Sequence, residues 1–480
     1  GQLQAVIGKG YTGGNNFDLE SGYIKDWFGA SVAVQGGRLA VGARGDDGIN
    51  YNQPNDGILL GTVYLFNLVD ASGNVTTDPS SFAGVRLQGR VGRYDGSDGG
   101  GDKTITTFAD GGTGVTTVTT TADHNRGNGD AVIISGTTNY DGTYTTSGVT
   151  DDTFNIAKTF VADDATGLIL YNDINLGTSF DTTGTGPAAN RTGASVAAGG
   201  IENANTGKNK GDEGYVVALS EGADGSTRLA VGLVKDDGAT ESSDSRKKGA
   251  VLLITFDDAD NNDFSGGELA AVIGEDFDND YSGSNPRNGK DLDISDHLDG
   301  EDRFGIYLSL DYDPVLNRHR LAAIATGDDG IAGSSSTQGR VYLFTFSDES
   351  FTGATLTASV SADGAAQLGG KHLTKLLVNG TSNAPNFDAV ALDGNYLAIA
   401  SLDADGNGGN DTGDVYIYSF THLTGDEFAN GTLEGSIGYD FTGGTAQGTR
   451  DIDVEPESGR QLSNDELFAN GIALDNNRLV

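Results

Sequence analysis

The residues in this chain whose types and spacing could do chemistry are oxygen ligands. In the run from Leu402 to Asp411, Asp403, Asp405 and Asn407 fall at alternate positions, Gly408 follows for a sharp turn, and Asp411 closes the loop. That spacing wraps a hard cation such as calcium, and the same residues also make a plain Asx-rich turn. A second loop alternates Asp278, Asp280 and Ser282 before Gly283. Related stretches, Tyr11 to Asn16 and Tyr94 to Asp102, keep the turn residues and vary the acids, so the turn is their common feature. Asp257, Asp258, Asp260 and Asp263 are acidic without a ligand pattern and read as solvated surface.

Catalytic constellations are absent from the text. The five histidines, His124, His297, His319, His372 and His422, are scattered with no zinc spacing. His297 near Asp293 and Asp296, and His124 beside Asp123, have the closest acidic company, and both are expected at the surface. No GxSxG elbow precedes a helix. With 69 acidic residues, chance carboxylate pairs are certain, so they do not single out a glycoside-hydrolysing site. The expectation is a protein that is not an enzyme. Arg44-Gly45-Asp46 spells a receptor-recognition tripeptide, but the same slot holds Val-Lys-Asp and Thr-Gly-Asp elsewhere, so it reads as a turn.

Those slots belong to a phrase that the chain repeats. Trp27 to Gly48 followed by Gly61 to Phe66 is the first copy. The second is read as Thr192 to Gly200, Arg228 to Gly238 and Gly249 to Phe256; the third as Arg303 to Asp313, Arg320 to Gly330 and Gly339 to Phe344. The fourth is Phe387 to Gly406 with Gly413 to Phe420, and a fifth starts at Leu467 and breaks off at Val480. Self-similarity of this kind means one supersecondary unit stacked several times. Each unit reads as four strands: the FGASVAV type, the RLAVGA type, the GTVYLF type, and a phrase ending in IG or VG, as at Leu3–Gly8, Arg86–Gly92, Glu268–Gly274 and Thr432–Gly438. In the third strand Val63 and Leu65 face one way and Tyr64 and Phe66 the other, so both faces are apolar and each sheet must be sandwiched between neighbours. Ala40, Gly42 and Ala43 are small, as crowding near an axis would require, and the DDG at Asp46 to Gly48, Asp236 to Gly238 and Asp328 to Gly330 opens a variable surface loop.

Phe28 and Gly29 with Val41 to Ala43, and Phe304 and Gly305 with Ala323 to Ala325, make the phrase resemble the FG-GAP repeat, the blade unit of integrin-α-type propellers and of many bacterial surface proteins. The copy at Gly193 lacks its Phe. The resemblance implies an all-β fold, a β-propeller of about five FG-GAP-like blades spanning residues 1–103 and 172–480. Integrin-type repeats carry a calcium loop between the FG and GAP strands; here that connection, Val34 to Arg38, is too short, and the Asp403 loop follows the GAP-equivalent strand instead. Residues 104–171 are Thr-rich and lack the phrase. They read as a small inserted β domain of five or so strands, with turn signals at Asn139 to Gly142 and Asp151 to Asp152, and resemble a domain of phage tail and bacterial surface proteins. The expected place of insertion is a loop between the first and second blades.

The formal charge of −40, from 69 acids against 29 bases, repels nucleic acid and anionic membranes and attracts cations. No cysteine is present, so neither a disulfide framework nor a thiolate metal site is possible. No apolar run approaches the ~20 residues that span a bilayer. Methionine is absent and the last copy stops in mid-phrase, which reads as an excerpt of a longer protein. The opening fourth-strand phrase could complete the last blade and lock the ring, with the third strand of that blade following Val480. The expected function is an extracellular structural or adhesive subunit of a bacterial surface filament, sheath, matrix or surface layer. Its partners are copies of itself, other surface proteins or polysaccharide, with calcium screening the carboxylates. The alternatives are a calcium-dependent recognition propeller for carbohydrate or protein and, from another class, a propeller hydrolase.

Overall fold

Short runs of β-branched and aromatic residues between Gly- and Asp-rich turns leave the backbone one economical option, antiparallel pairing. The computed structural model describes residues 2–19, 27–46, 61–92, 103–121, 131–170, 214–236, 247–257, 264–275, 290–328, 339–361, 372–374, 387–402, 413–438, 452–453 and 471–480, less a few positions within these, together with 124, 128, 174–175 and 277. The described chain is all-β, its only helical element a single 3₁₀ turn at Ser295–His297.

The chain opens with a parallel pair, β1 (Ile7–Gly8) and β2 (Phe17–Asp18). The first sheet follows with β3 (Phe28–Gln35), β4 (Arg38–Ala43), β5 (Thr62–Asp70) and β6 (Phe82–Gly92), each antiparallel to the one before. Gly36 and Gly37 alone join β3 to β4, with φ of 57° and 82°. Positive φ at both central residues is the hairpin turn that matches strand twist, and it leaves no room for a cation loop there.

The chain then departs into a separate six-stranded sheet, built from β7 (Lys103–Gly112), β8 (Val115–Thr120), β9 (Ala131–Ser135), β10 (Gly142–Thr145), β11 (Thr153–Ile156) and β12 (Leu168–Leu170), in the order β10-β9-β12-β7-β8-β11. Its own core gathers Ile105, Phe108, Val118, Ile134, Tyr140 and Phe154. On its return the chain adds β13 (Ile174–Asn175) in parallel to β6. The Thr-rich segment therefore interrupts the first sheet between its fourth and fifth strands, and does not lie in a connection between two sheets.

Three more sheets repeat the plan. The second is β14 (Gly214–Glu221), β15 (Thr227–Leu233), β16 (Ala250–Thr255), β17 (Glu268–Gly274) and β18 (Leu292–Asp293). The third is β19 (Tyr307–Asp313), β20 (Arg318–Ala325), β21 (Arg340–Thr345), β22 (Thr355–Ser361) and β23 (His372–Thr374). The fourth is β24 (Ala389–Asp393), β25 (Tyr396–Ser401), β26 (Asp414–Leu423), β27 (Asp426–Gly438) and β28 (Ile452–Asp453). A last hairpin, β29 (Leu474–Asp475) and β30 (Arg478–Leu479), ends the chain. The four-strand reading of each copy thus gains a fifth, a short parallel edge strand. In the second copy the first strand is Gly214–Glu221, not Thr192–Gly200, which lies outside the described residues. Only the later segment can reach Arg228–Leu233 through a tight hairpin, and its Val217 and Leu219 lie opposite Val231 and Leu229.

Each antiparallel set carries the same register shift between its third and fourth strands, at Leu65/Phe66, Leu253/Ile254, Leu343/Phe344 and Ile417/Tyr418. One extra residue on the fourth strand bends the sheet at a fixed place. The sheets then pack face to face in chain order. Val63 and Leu65 of the first meet Leu252 and Ile254 of the second; Val251 and Leu253 meet Tyr342 and Phe344 of the third; Val341 and Leu343 meet Tyr416 and Tyr418 of the fourth. Both faces of every third strand are used, as its double-sided apolar pattern requires. The small residues of the second strand answer to the next sheet: a Cβ on Gly42 would meet the Tyr215 carbonyl oxygen at 1.8 Å, and one on Gly232 the Gly305 oxygen at 2.0 Å.

Candidate functional site

The polar residues that recur in the copies turn inward. The arginine that opens each RLAV strand is buried, at 1% exposure for Arg38, 5% for Arg228 and none for Arg320. Arg38 donates to the Gly225 carbonyl at 2.8 Å and Arg320 to the Gly394 carbonyl at 2.7 Å, in both cases a glycine in the first hairpin of the following sheet. Arg228 reaches the Glu349 carbonyl of the third sheet at 2.7 Å. Backbone amides add further ties, from Val217 to Ser31 Oγ at 3.1 Å and from Leu392 to Ser309 Oγ at 2.9 Å.

The first Asp of each DDG is also buried. Asp46 accepts from Thr62 Oγ1 at 2.9 Å and from the Tyr64 hydroxyl at 2.6 Å, while its carbonyl takes the Gly61 amide. Asp328 accepts from the Tyr342 hydroxyl and lies 3.7 Å from Arg340 Nε. In the fourth sheet Tyr416 donates to Asp414 at 3.0 Å. Burial and the adjacent carboxylates push the Tyr342 and Tyr416 hydroxyls well above their ordinary range. The first Asp of the DDG therefore closes the loop in all three copies, its carbonyl taking the amide of Gly61, Gly249 or Gly339, and in the first and third copies its carboxylate also holds a tyrosine. It also settles the tripeptide at Arg44 to Asp46: the aspartate is 6% exposed and already bonded, and the guanidinium of Arg44 lies over Trp27 and Tyr215.

Beside Asp328, Asp302 is 2% exposed and takes the Asp299 amide at 2.7 Å. Desolvation, with Asp328 and Asp299 adding negative charge, pushes its carboxyl up to about 8. Of the two histidines expected at the surface, His297 is half-buried and His124 departs from that expectation. His124 is buried, edge-on to Phe154, and His319 is fully buried between Tyr312 and Phe351, its pKa pushed down to about 3 by desolvation. Aromatic neighbours made both positions apolar. The seven predicted ligands, Asp403, Asp405, Asn407, Asp411, Asp278, Asp280 and Ser282, lie outside the described residues, and no group of three metal-binding side chains occurs among the described ones.

Among the described residues, a cavity of about 1090 Å³ is bounded by the first strands of all four sheets and by β29. Val32 and Val34 expose 59% and 61% of their surface into this region, an apolar wall. Four consecutive first hairpins bring carboxylates to it: Glu221, Asp311, Asp393 and Asp475. Glu221 lies 3.5 Å from Arg38. Asp311 pairs with Arg320, and burial, with Asp393 and Asp313 nearby, still pushes it up to about 6. Such a set can hold a cation or the hydroxyls of a polar ligand against an apolar wall. Three of these acids sit opposite or next to the arginine of their copy, Glu221 by Arg228, Asp311 by Arg320 and Asp475 by Arg478, whereas Asp393 lies opposite Tyr396.

Comparison with known proteins places these observations. The FG-GAP repeat family matches residues 21–66, the stretch that carries β3, β4 and the start of β5. No curated protein matches the chain. Among solved structures, one assigned to an exo-beta-1,3-galactanase of Bifidobacterium bifidum s17 is similar at a TM-score of 0.23 and 9% identity, over 89% of this chain and 96% of that one. A xylan beta-1,4-xylosidase from Bacillus halodurans C-125 is similar at 0.21 and 9%, over 82% of this chain and 52% of that one. Similarity at that level carries no inference about activity. No helix among the described residues is long and apolar enough to cross a membrane.

Proposed function

We propose that the chain is a structural or adhesive subunit, its sheets set around an axis as a propeller of about five blades, acting outside the cell and assembling with copies of itself. The observation that carries this reading is the use to which the recurring charged residues are put. Arg38, Arg228 and Arg320 each bond a backbone carbonyl of a neighbouring sheet, and Asp46, Asp328 and Asp414 each hold a tyrosine within one. The elements common to the copies build a stiff scaffold, and what varies in the sequence is the acidic stretches between them. At a net charge of −40 such particles repel one another, so close assembly calls for a counter-ion, and calcium at the acidic loops around Asp403 and Asp278 fits that need. Sedimentation velocity in calcium and in a chelator tests the reading: assembly that reverses on chelation supports it, and a monomer in both conditions at high concentration refutes it.

The cavity favours a second reading, a recognition module for a polar ligand such as a glycan. Saturable glycan binding that Asp393→Asn weakens at least tenfold would support it; binding that ignores this substitution would not.

A further inference from the structure

The first strands of the four sheets neighbour one another in chain order. Their ends line the cavity, and their beginnings gather a different set of side chains. Trp27 stands just before β3, Tyr215 is the second residue of β14, Tyr307 opens β19, and Asp388 stands just before β24. Trp27 is the single tryptophan of the chain and is 53% exposed. Its φ of 49° matches the 55° of Arg303, which holds the same place before Phe304, and the Arg303 side chain is half exposed too. The left-handed turn thus belongs to the repeated phrase, and in both of these copies the side chain on it reaches solvent. Arg44, directly after β4, fixes the indole. Its guanidinium carbon lies 5.6 Å from the centre of the Trp27 ring and 5.5 Å from that of Tyr215, so one cation joins an aromatic of the first sheet to one of the second. Tyr215 is held in turn by close backbone packing, its carbonyl carbon lying where a Cβ on Gly42 would approach to 2.8 Å. Further along the row, desolvation, with Asp388 and Tyr215 adding to it, pushes the Tyr307 hydroxyl up to about 12, so it stays a donor at neutral pH. The Asp388 carboxylate is oriented by the Leu402 amide at 2.8 Å.

We infer that Trp27, clamped by Arg44 against Tyr215, is a stacking platform for a pyranose ring of a neutral polysaccharide, with the Tyr307 hydroxyl and the Asp388 carboxylate serving the hydroxyls of adjoining sugar units. The ligand chemistry follows from what the row offers. The face of an indole carries partial negative charge and attracts the C–H hydrogens on the flat side of a pyranose. A ring that is already immobilised loses little freedom on binding. Arg44 sets a positive charge against the rings, which disfavours a cationic ligand, and the net charge of −40 disfavours acidic polysaccharide and nucleic acid. A neutral sugar chain, apolar on its ring faces and polar at its rim, satisfies both conditions, and an aromatic wall with a few placed polar groups is the usual make-up of such a site. None of Trp27, Arg44, Tyr215, Tyr307 and Asp388 lines the cavity. The inference rests on the adhesive side of the proposed function, to which it supplies a ligand, and needs neither self-assembly nor the cavity.

Because the chain has one tryptophan, its fluorescence reports this place alone. The whole protein is titrated with cellohexaose, xylohexaose and laminarihexaose, and with hexagalacturonate as the acidic control, followed by tryptophan emission and by calorimetry. The expected result is a saturable change in emission with at least one neutral hexasaccharide, bound at least tenfold more tightly than the acidic control. Trp27→Ala should weaken the calorimetric binding at least tenfold with an unchanged far-ultraviolet spectrum, since the side chain is half exposed. Arg44→Ala should weaken it at least threefold and lower the fluorescence anisotropy of the indole, which a bystander arginine would not do. No emission change with any of the three neutral sugars, or calorimetric binding that survives Trp27→Ala intact, overturns the inference. The parent readings fail separately. Binding that Asp393→Asn abolishes and Trp27→Ala does not belongs to the cavity and overturns this inference alone, while sedimentation in calcium reads self-assembly without any sugar.

Discussion

Gly232→Ala puts the proposed sheet-to-sheet contact under direct test. Gly232 has an ordinary strand conformation, so alanine meets no backbone penalty there; what it meets is the next sheet. An added Cβ would sit 2.0 Å from the Gly305 carbonyl oxygen, 2.9 Å from its carbon and 3.3 Å from Val216 Cβ. Ordinary contact begins near 3.4 Å, so the third sheet must retreat by more than an ångström. Gly305 is itself held by its amide bond to the Ile324 carbonyl at 2.9 Å, so the strain cannot be relieved by a rotamer change. Overpacking costs about 1–3 kcal/mol where side chains can adjust, and a backbone obstacle places this case at about 3 kcal/mol or above. Gly84→Ala is the control, because nothing lies within 4 Å of its Cβ; it is expected to be neutral or to stabilise by about 0.4–1 kcal/mol through the unfolded chain. Urea unfolding followed by far-ultraviolet circular dichroism reads both. A Gly232→Ala midpoint equal to that of the wild type or of Gly84→Ala would refute the packing described here.

Other perturbations follow from the buried polar contacts. Tyr64→Phe removes the hydroxyl bonded to Asp46 and is expected to lower stability by about 1–3 kcal/mol in the same urea assay, with no change in secondary structure. Asp302 holds its proton up to about pH 8 in the folded state and loses it near 3.8 when unfolded, so unfolding releases a proton in that window and stability falls as pH rises through it. Asp302→Asn should flatten that slope in melting curves taken at half-unit steps from pH 4 to 8. His319 acts in the opposite sense: folded, it stays neutral down to about pH 3, so unfolding takes up a proton below 6.5 and stability falls as pH drops toward 3. His319→Leu should therefore shift acid unfolding to lower pH.

Where alternation was long and both faces apolar, the strands were legible as text. Gly61–Phe66, Arg228–Leu233 and Glu268–Gly274 lie where the repeated phrase put them, and the IG at Ile7 and Gly8 is a strand, paired in parallel with Phe17–Asp18. Pieces set by partners and not by their own sequence escaped. The fifth strands are two or three residues long and exist only through parallel pairing with the fourth, so no period marks them. Thr355–Ser361 ends in Val-Ser, not in Ile-Gly or Val-Gly, so the phrase does not mark it; Gly214–Glu221 is hidden because the phrase at Thr192–Gly200 imitates the first strand of the other copies. The buried arginines were in plain view at the head of three RLAV strands, but a charge at a strand start reads as solvated until the carbonyl that receives it is known. The DDG looked like surface for the same reason, with its tyrosine partner some fourteen or more residues further on.

Electron microscopy of the native material in calcium, repeated after chelation, tests the central claim most directly. Ordered filaments or sheets that loosen on chelation are the predicted result, and isolated particles in both conditions would contradict it.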